Sequence, residues 1–223
     1  MRRKSLIAIW TILLGIGTGV SFVFDFGGIR VTLSNRWYEV THPEVVGGSC
    51  LCCEGALEYS HDEDLQHVGT LSDYAEADQN KIEISGVVYQ SNGLTPAQGV
   101  ILYIYHADQT GHFPQTGDLR GCAQVHGTLR GWLRTNAQGA YTFLTTRPGS
   151  EGGMLAHIHL IVKEPDKNAY EVAAYTFADD PLFAGKEALP RGGSGVLSNG
   201  IVEEGMARYR RDILLGLNVP NYP

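Results

Sequence analysis

The stretch LAHIHLIVK, Leu155 to Lys163, decides how this chain is read. Its leucine and β-branched residues mark a strand, and in a strand alternate side chains share a face. His157, His159 and Ile161 therefore point one way, and Ile158, Leu160 and Val162 the other. A strand that only had to pack would not place imidazole twice on one face. Two residues of rise span about 6.5 Å, and imidazoles rooted that far apart can converge on one metal ion at about 2.0–2.1 Å. The plainer alternative is a pair of hydrogen-bonded histidines at the mouth of a β structure.

Strand-like runs recur on both sides of this stretch. KIEISGVVYQ (81–90) alternates apolar and polar residues, with a kink expected at Gly86, and SNGLTPAQG (91–99) is a turn by its Asn-Gly and Pro content. GVILYIYHAD (99–108) is a second, mostly buried strand. TLRGWLRT (128–135) and AYTFLTT (140–146) flank NAQG and read as a hairpin, and YEVAAYTFADDP (170–181) supplies a further strand. No long amphipathic helix separates them, so the expectation is an all-β, antiparallel β-sandwich over 81–181. The 28 glycines and 11 tyrosines of the 223 residues favour the same turn-rich architecture. Residues 25–80 are polar and irregular, a spacer and arm. The tail, 182–223, is expected to pack on the sandwich, and its MARYRRDILLGL segment fits helix or strand equally.

Charge and cysteine usage bound the partners and the compartment. The 17 Lys and Arg against 24 Asp and Glu give a net charge of −7, which argues against a nucleic-acid partner. At the N-terminus MRRKS precedes the uncharged run Leu6 to Phe24, long enough to cross a bilayer. Residues 1–24 are thus expected to be a signal peptide or a membrane anchor, with the remainder exported. Cys50, Cys52, Cys53 and Cys122 make an even count suited to disulfides in an oxidising compartment. Cys52 and Cys53 are poor partners for each other, and a bridge from this cluster to Cys122 would tie the arm to the body. A thiolate metal site has C-x2-C spacing only from Cys50 to Cys53, with no second pair.

The ordered run from ISGVVYQSNGLTPAQGVILYIYHADQTGHF through GWLRTNAQGAYTFLTTRPG to AHIHLIVKEP and YTFADDP resembles the intradiol ring-cleavage dioxygenases, over roughly 81–181. That resemblance implies a β-sandwich holding mononuclear non-haem Fe3+, with two histidines of an H-x-H strand and two tyrosines as ligands. It implies a small aromatic diol as substrate. Carried over, His157 and His159 are the two histidine ligands. Phe113 stands where the first tyrosine is expected, and the segment Arg147 to Gly153 contains no second one. Met154 replaces the arginine that precedes the histidines, and Ala174 replaces a glutamine of the following strand.

Two neutral imidazoles leave a ferric ion short of compensating charge. Glu151 stands where the second tyrosine's loop belongs, and the flexible Gly152-Gly153 would let it fold inward. Two histidines and a carboxylate form the facial triad of Fe2+ oxygenases, and the plainer reading of Glu151 is a solvated loop residue. His112 and His126 are alternative third ligands, each with a surface-loop alternative. His106 is expected to line the cavity. Tyr105 and Tyr175 are candidate replacement tyrosines, with core packing as the alternative. The expected function is an exported, membrane-tethered iron oxidoreductase acting on an aromatic diol, as a monomer or homo-oligomer. The alternatives are a degenerate relative that binds iron or copper without ring cleavage, and a non-catalytic interaction sandwich.

Overall fold

Strand β4 (Lys81–Tyr89) alternates half-buried and buried residues along its whole length, sending Ile82, Ile84 and Val88 inward. It runs straight through Gly86, which pairs with Tyr141 in unbroken register. A Cβ at Gly86 would come within 1.8 Å of the Arg211 carbonyl oxygen. The glycine therefore marks a close backbone approach, and the expected kink is absent. The computed structural model describes residues 23–26, 29–32, 45–48, 50–59, 64–71, 80–185 and 189–223.

Two sheets face each other across the core. One is ordered β10 (Val196–Leu197), β9 (Tyr170–Phe177), β8 (His157–Lys163), β5 (Ile101–His106) and β6 (Arg130–Arg134). The other is ordered β11 (Ile201–Glu203), β12 (Met206–Arg210), β4, β7 (Ala140–Thr146) and β3 (Val68–Thr70), with β13 (Ile213–Leu214) also paired to β4. Leu102, Ile104, Ile158, Leu160 and Val162 of the first sheet meet Ile82, Ile84, Tyr141 and Phe143 of the second in one buried cluster. A separate hairpin, β1 (Val23–Phe26) with β2 (Ile29–Thr32), belongs to a unit of its own.

The sandwich expected from the sequence is present, with three corrections. Its sheets are mixed: the central pairs β4–β7, β5–β6, β5–β8 and β8–β9 are antiparallel. The edges β10–β9, β12–β4, β13–β4 and β3–β7 are parallel. Second, β6 and β7 lie in different sheets. NAQG is an arch between the layers, because Leu133 on one side and Tyr141 and Phe143 on the other all turn into the same core. Third, the sandwich recruits residues outside 81–181. The arm supplies β3 and a 3-10 helix, Cys53–Leu57, and MARYRRDILLGL resolves into strands β12 and β13. Residues 1–22, most of the expected signal or anchor, lie outside the described residues, and Val23 and Phe24 open β1. Among the described residues no helix is long and apolar enough to cross a membrane.

The cysteines pair as Cys50–Cys53 and Cys52–Cys122. The second bridge closes a span of 70 residues and fastens the 3-10 helix over the outer face of the five-stranded sheet. There Cys53 and Ala56 pack with Tyr103, Tyr105 and Ile161, joined by Phe113 and Trp132. With its sulfurs in the bridge, the Cys52–Glu54–Cys122 cluster has no thiolate to offer a metal.

Candidate metal centre

His157 and His159 share the outer face of β8, as strand alternation requires. Their Nε2 atoms approach to 3.0 Å. Two donor bonds of about 2.05 Å spanning that gap would subtend about 94° at a metal, the angle of adjacent ligands in octahedral geometry. His157 Nδ1 donates to the Leu155 carbonyl at 2.8 Å, so its Nε2 carries the lone pair. His159 Nδ1 faces Glu171 Oε1 at 3.6 Å, which favours the same tautomer in the second ring. In that arrangement the two Nε2 lone pairs oppose each other, and only a cation or a shared proton between them relieves the repulsion. Burial holds His157 below the ordinary imidazole range, against the opposing pull of the Leu155 carbonyl, and the nearby His159 depresses it further. A neutral ring is what a ligand needs.

Glu151 comes to the same point. Its Oε2 lies 3.8 Å from His157 Nε2, and one ligand atom from each of Glu151, His157 and His159 lies within 4.8 Å of the others. The turn that delivers it is specific. Glu151 and Met154 form a bridge around Gly152 and Gly153, whose φ values are +53° and +86°. Two consecutive positive φ values make this the tight turn that glycine adopts without strain, so the loop is folded where the sequence suggested flexibility. The loop rests on its neighbour: Gly149 N donates to the Asp108 carbonyl at 2.9 Å. A Cβ on Gly111 would lie 1.9 Å from the Ser150 oxygen. At the head of β8, Asp180 Oδ2 accepts from Ala156 N at 2.9 Å and fixes where His157 begins.

Opposite His159 the ladder is irregular. Ile158 pairs with Tyr175 and Leu160 with Val172, so Ala173 and Ala174 of β9 together face the single residue His159. This is a β-bulge, a device that re-aims side chains beside functional sites. It sets Glu171 against His159, and the imidazole beside it holds the Glu171 carboxyl below the ordinary carboxylate range. Alternation along β9 does not single out Glu171; the doubled alanine in YEVAAYTF, which shifts that alternation by one, is the signal that could.

The remaining candidates fall elsewhere. His106 is fully buried and satisfied, with Nδ1 2.6 Å from the Ala107 oxygen and Nε2 2.6 Å from Thr145 Oγ1, so it is a core residue where a cavity-lining one was expected. His112 is a loop residue against Thr110 Oγ1 at 3.0 Å. His126 is buried, turns its Nδ1 to the Tyr103 hydroxyl at 2.9 Å, and stands outside the Glu151–His157–His159 cluster. Tyr175 faces the core and donates to the Tyr141 hydroxyl at 2.9 Å. Tyr105 lies flat on His159, with centroids 4.4 Å apart and planes 4° apart, and supports the face of the imidazole. Phe113 tilts toward the same ring at 6.3 Å and has no donor atom.

No protein-family profile matches the chain. Solved structures do. Chlorocatechol 1,2-dioxygenase from Pseudomonas putida aligns with a TM-score of 0.51 at 19% identity, covering 70% of this chain and 68% of that one. An intradiol ring-cleavage dioxygenase from Tetranychus urticae aligns at 0.50 and 17% identity, over 70% of this chain and 89% of the other. For 3-chlorocatechol 1,2-dioxygenase from Rhodococcus opacus the values are 0.50 and 18%, over 65% and 63%. At such identities the likeness is one of fold. The chain has the β-sandwich fold of the intradiol ring-cleavage dioxygenases.

Proposed function

We propose that this protein is an exported non-haem iron oxidoreductase of the dioxygenase type, acting on a small aromatic diol at a centre built from Glu151, His157 and His159. The observation that carries the proposal is the convergence of the two Nε2 atoms at 3.0 Å with a carboxylate beside them. Both disulfides support an oxidising compartment and so the export expected from residues 1–24. Iron, when bound, would supply the dioxygen chemistry. His157 and His159 would hold it as neutral donors, and Glu151 would add one negative charge.

The residues around the centre bear on which substrate enters. Phe113 and the exposed Met154 offer apolar surface to an aromatic ring. Glu151 and Glu171 disfavour a carboxylated diol. Glu171, whose carboxyl the His159 imidazole holds below the ordinary range, adds a second negative charge beside the centre. Phe113 in place of a tyrosinate supports the second reading, a centre that keeps Fe2+ or copper and performs no ring cleavage.

The test is metal analysis of the purified protein beside a ring-opening assay on catechol. The first reading expects about one iron per chain and ultraviolet-detected ring opening. Glu151→Gln should weaken metal binding by at least roughly 10–100-fold, the range for losing an outer-shell partner, since in this reading Glu151 is itself a ligand. Metal retained at full affinity in both Glu151→Gln and His157→Ala would sink the centre. Bound metal without ring opening would select the second reading.

A further inference from the structure

The register of β5 against its neighbours sets aromatic rings in a row. Trp132 of β6 pairs with Tyr103, and His159 of β8 pairs with Tyr105. Ring centroids are 5.1 Å apart for Trp132 and Tyr103, 5.6 Å for Tyr103 and Tyr105, and 4.4 Å for Tyr105 and His159. All three contacts are stacked. His126 lies over the other face of Tyr105 at 3.7 Å with planes 9° apart, and its Nδ1 is 2.9 Å from the Tyr103 hydroxyl. The metal centre proposed above uses none of Tyr103, His126 or Trp132, and aliphatic residues would cover a sheet face as well.

The polar atoms give this row a direction for a proton. Tyr103 receives a hydrogen bond from Arg130 Nη1 at 3.4 Å, which leaves its own O–H directed at His126 Nδ1. Arg130 is itself paired with Glu58 at 2.6 Å, so a positive charge arriving on His126 meets a neutralised neighbour. His126 is 2% exposed, and its Nε2 has no hydrogen-bond partner among the described residues. Burial, with His159 and Arg130 nearby, pushes His126 down to about 4, so the resting ring is neutral and Nδ1 is free to accept. Burial pushes the Tyr103 hydroxyl up to about 12, so its proton does not leave unless the ring is oxidised.

We propose that Tyr103 and His126 form a proton-coupled redox site, with Tyr105 and Trp132 relaying electrons between the His157–His159 centre and the Trp132 side of the sheet. Tyr103 loses one electron, its O–H bond breaks, and the proton bonds to His126 Nδ1. The products are a phenoxyl radical and an imidazolium, and the electron reduces a one-electron oxidant derived from dioxygen. An electron from a small-molecule one-electron reductant such as a thiol, passed through Trp132, and the proton returned from His126 to the phenoxyl oxygen restore the pair. Its role in draining oxidising equivalents from the centre rests on the function proposed above; the redox pair itself does not.

The test uses the full chain without added metal, flash-photolysed with tris(bipyridine)ruthenium and a sacrificial quencher. The expected result is a phenoxyl radical by electron paramagnetic resonance. Its formation should slow in D2O and ignore buffer concentration, because the proton acceptor is internal. Tyr103→Phe should remove that phase, and His126→Phe, which keeps a ring over Tyr105, should slow it roughly tenfold, one step of about 1.4 kcal/mol in barrier. A fast phase that survives Tyr103→Phe overturns the proposal, and so does a parent rate that rises with buffer base. The solvent measurements use the parent protein and stand even where a variant fails to fold. Photolysis needs no metal, so its failure leaves the Glu151–His157–His159 centre standing, and an empty centre leaves the redox pair standing.

Discussion

Strands β5 and β8 each present two faces made of alternating residues, and the two faces are held by different forces. Inward, Leu102, Ile104, Ile158 and Leu160 are 0% exposed and bring no polar side-chain atom to the core. Outward, Tyr103, Tyr105, His157 and His159 bring several, and each ring is placed by a stacking partner or a hydrogen bond. The inner face needs only apolar volume, which the opposite sheet supplies. Among the described residues no second sheet covers the outer face. Its cover comes from the 3-10 helix at Cys53–Leu57 and the loop around Phe113, and a disulfide fastens that cover. The inner face carries the fold, and the outer face carries the polar rings of the candidate centre.

The largest expected effect follows from removing the fastening. In the loop-entropy view, releasing a closed span of 70 residues costs about 4 kcal/mol, so Cys52→Ser with Cys122→Ser should lower the denaturant midpoint accordingly. Trp132, whose Nε1 donates to the Gly55 carbonyl at 2.8 Å, reports on the cover. Its fluorescence transition should precede the loss of strand circular dichroism in the double variant. Coincident transitions would show that the outer cover and the sandwich unfold as one unit.

Adjacent residues of β8 sharpen the same contrast. Ile158→Ala opens a cavity in a fully buried position and should cost about 3 kcal/mol, the middle of the usual range, with metal content unchanged. His157→Ala should cost less than about 1 kcal/mol and abolish metal binding. Calorimetry and metal analysis on the two variants decide this. Equal losses of stability would mean that the outer face is as structural as the core.

Much of this organisation was legible in the sequence, and for identifiable reasons. AHIHLIVK and KIEISGVVYQ show their faces because period-two alternation survives wherever one side is buried. The tie from the cysteine cluster to Cys122 was legible from the even count and the poor geometry of neighbouring pairs. What was hidden depended on partners distant in sequence. Val68–Thr70 is three residues long and pairs parallel with β7, so no local pattern announces it. NAQG has hairpin chemistry yet bridges two sheets, because the choice between hairpin and arch is made by what Leu133 and Phe143 bury. His126 read as an alternative third ligand or a surface-loop histidine; its place against Tyr105 and Tyr103 comes from the fold of residues 109–127, including a short helix at Ala123–His126, which spacing does not encode.

The smallest effect belongs to a contact outside both faces. Arg147, just after β7, forms two 2.8 Å hydrogen bonds to Asp179, just after β9, and so joins the ends of the two sheets. It also lies 4.3 Å above the Phe177 ring. The Asp179 side chain is 68% exposed, which limits the pair to a few tenths of a kcal/mol up to about 1. The Arg147 guanidinium holds the Asp179 carboxyl below the ordinary carboxylate range. A depressed folded value means the stabilisation is complete above the unfolded value of about 3.9 and is lost as pH falls through the folded one. Asp179→Asn should therefore be slightly less stable than the parent at neutral pH, and the difference should shrink on acidification until the two unfolding curves coincide. High salt should shrink it as well, since exposed charges are screened. A difference that is large at neutral pH and indifferent to acid would show that Asp179 acts through its backbone turn, and the outer rim would then belong with the packed structure of the core.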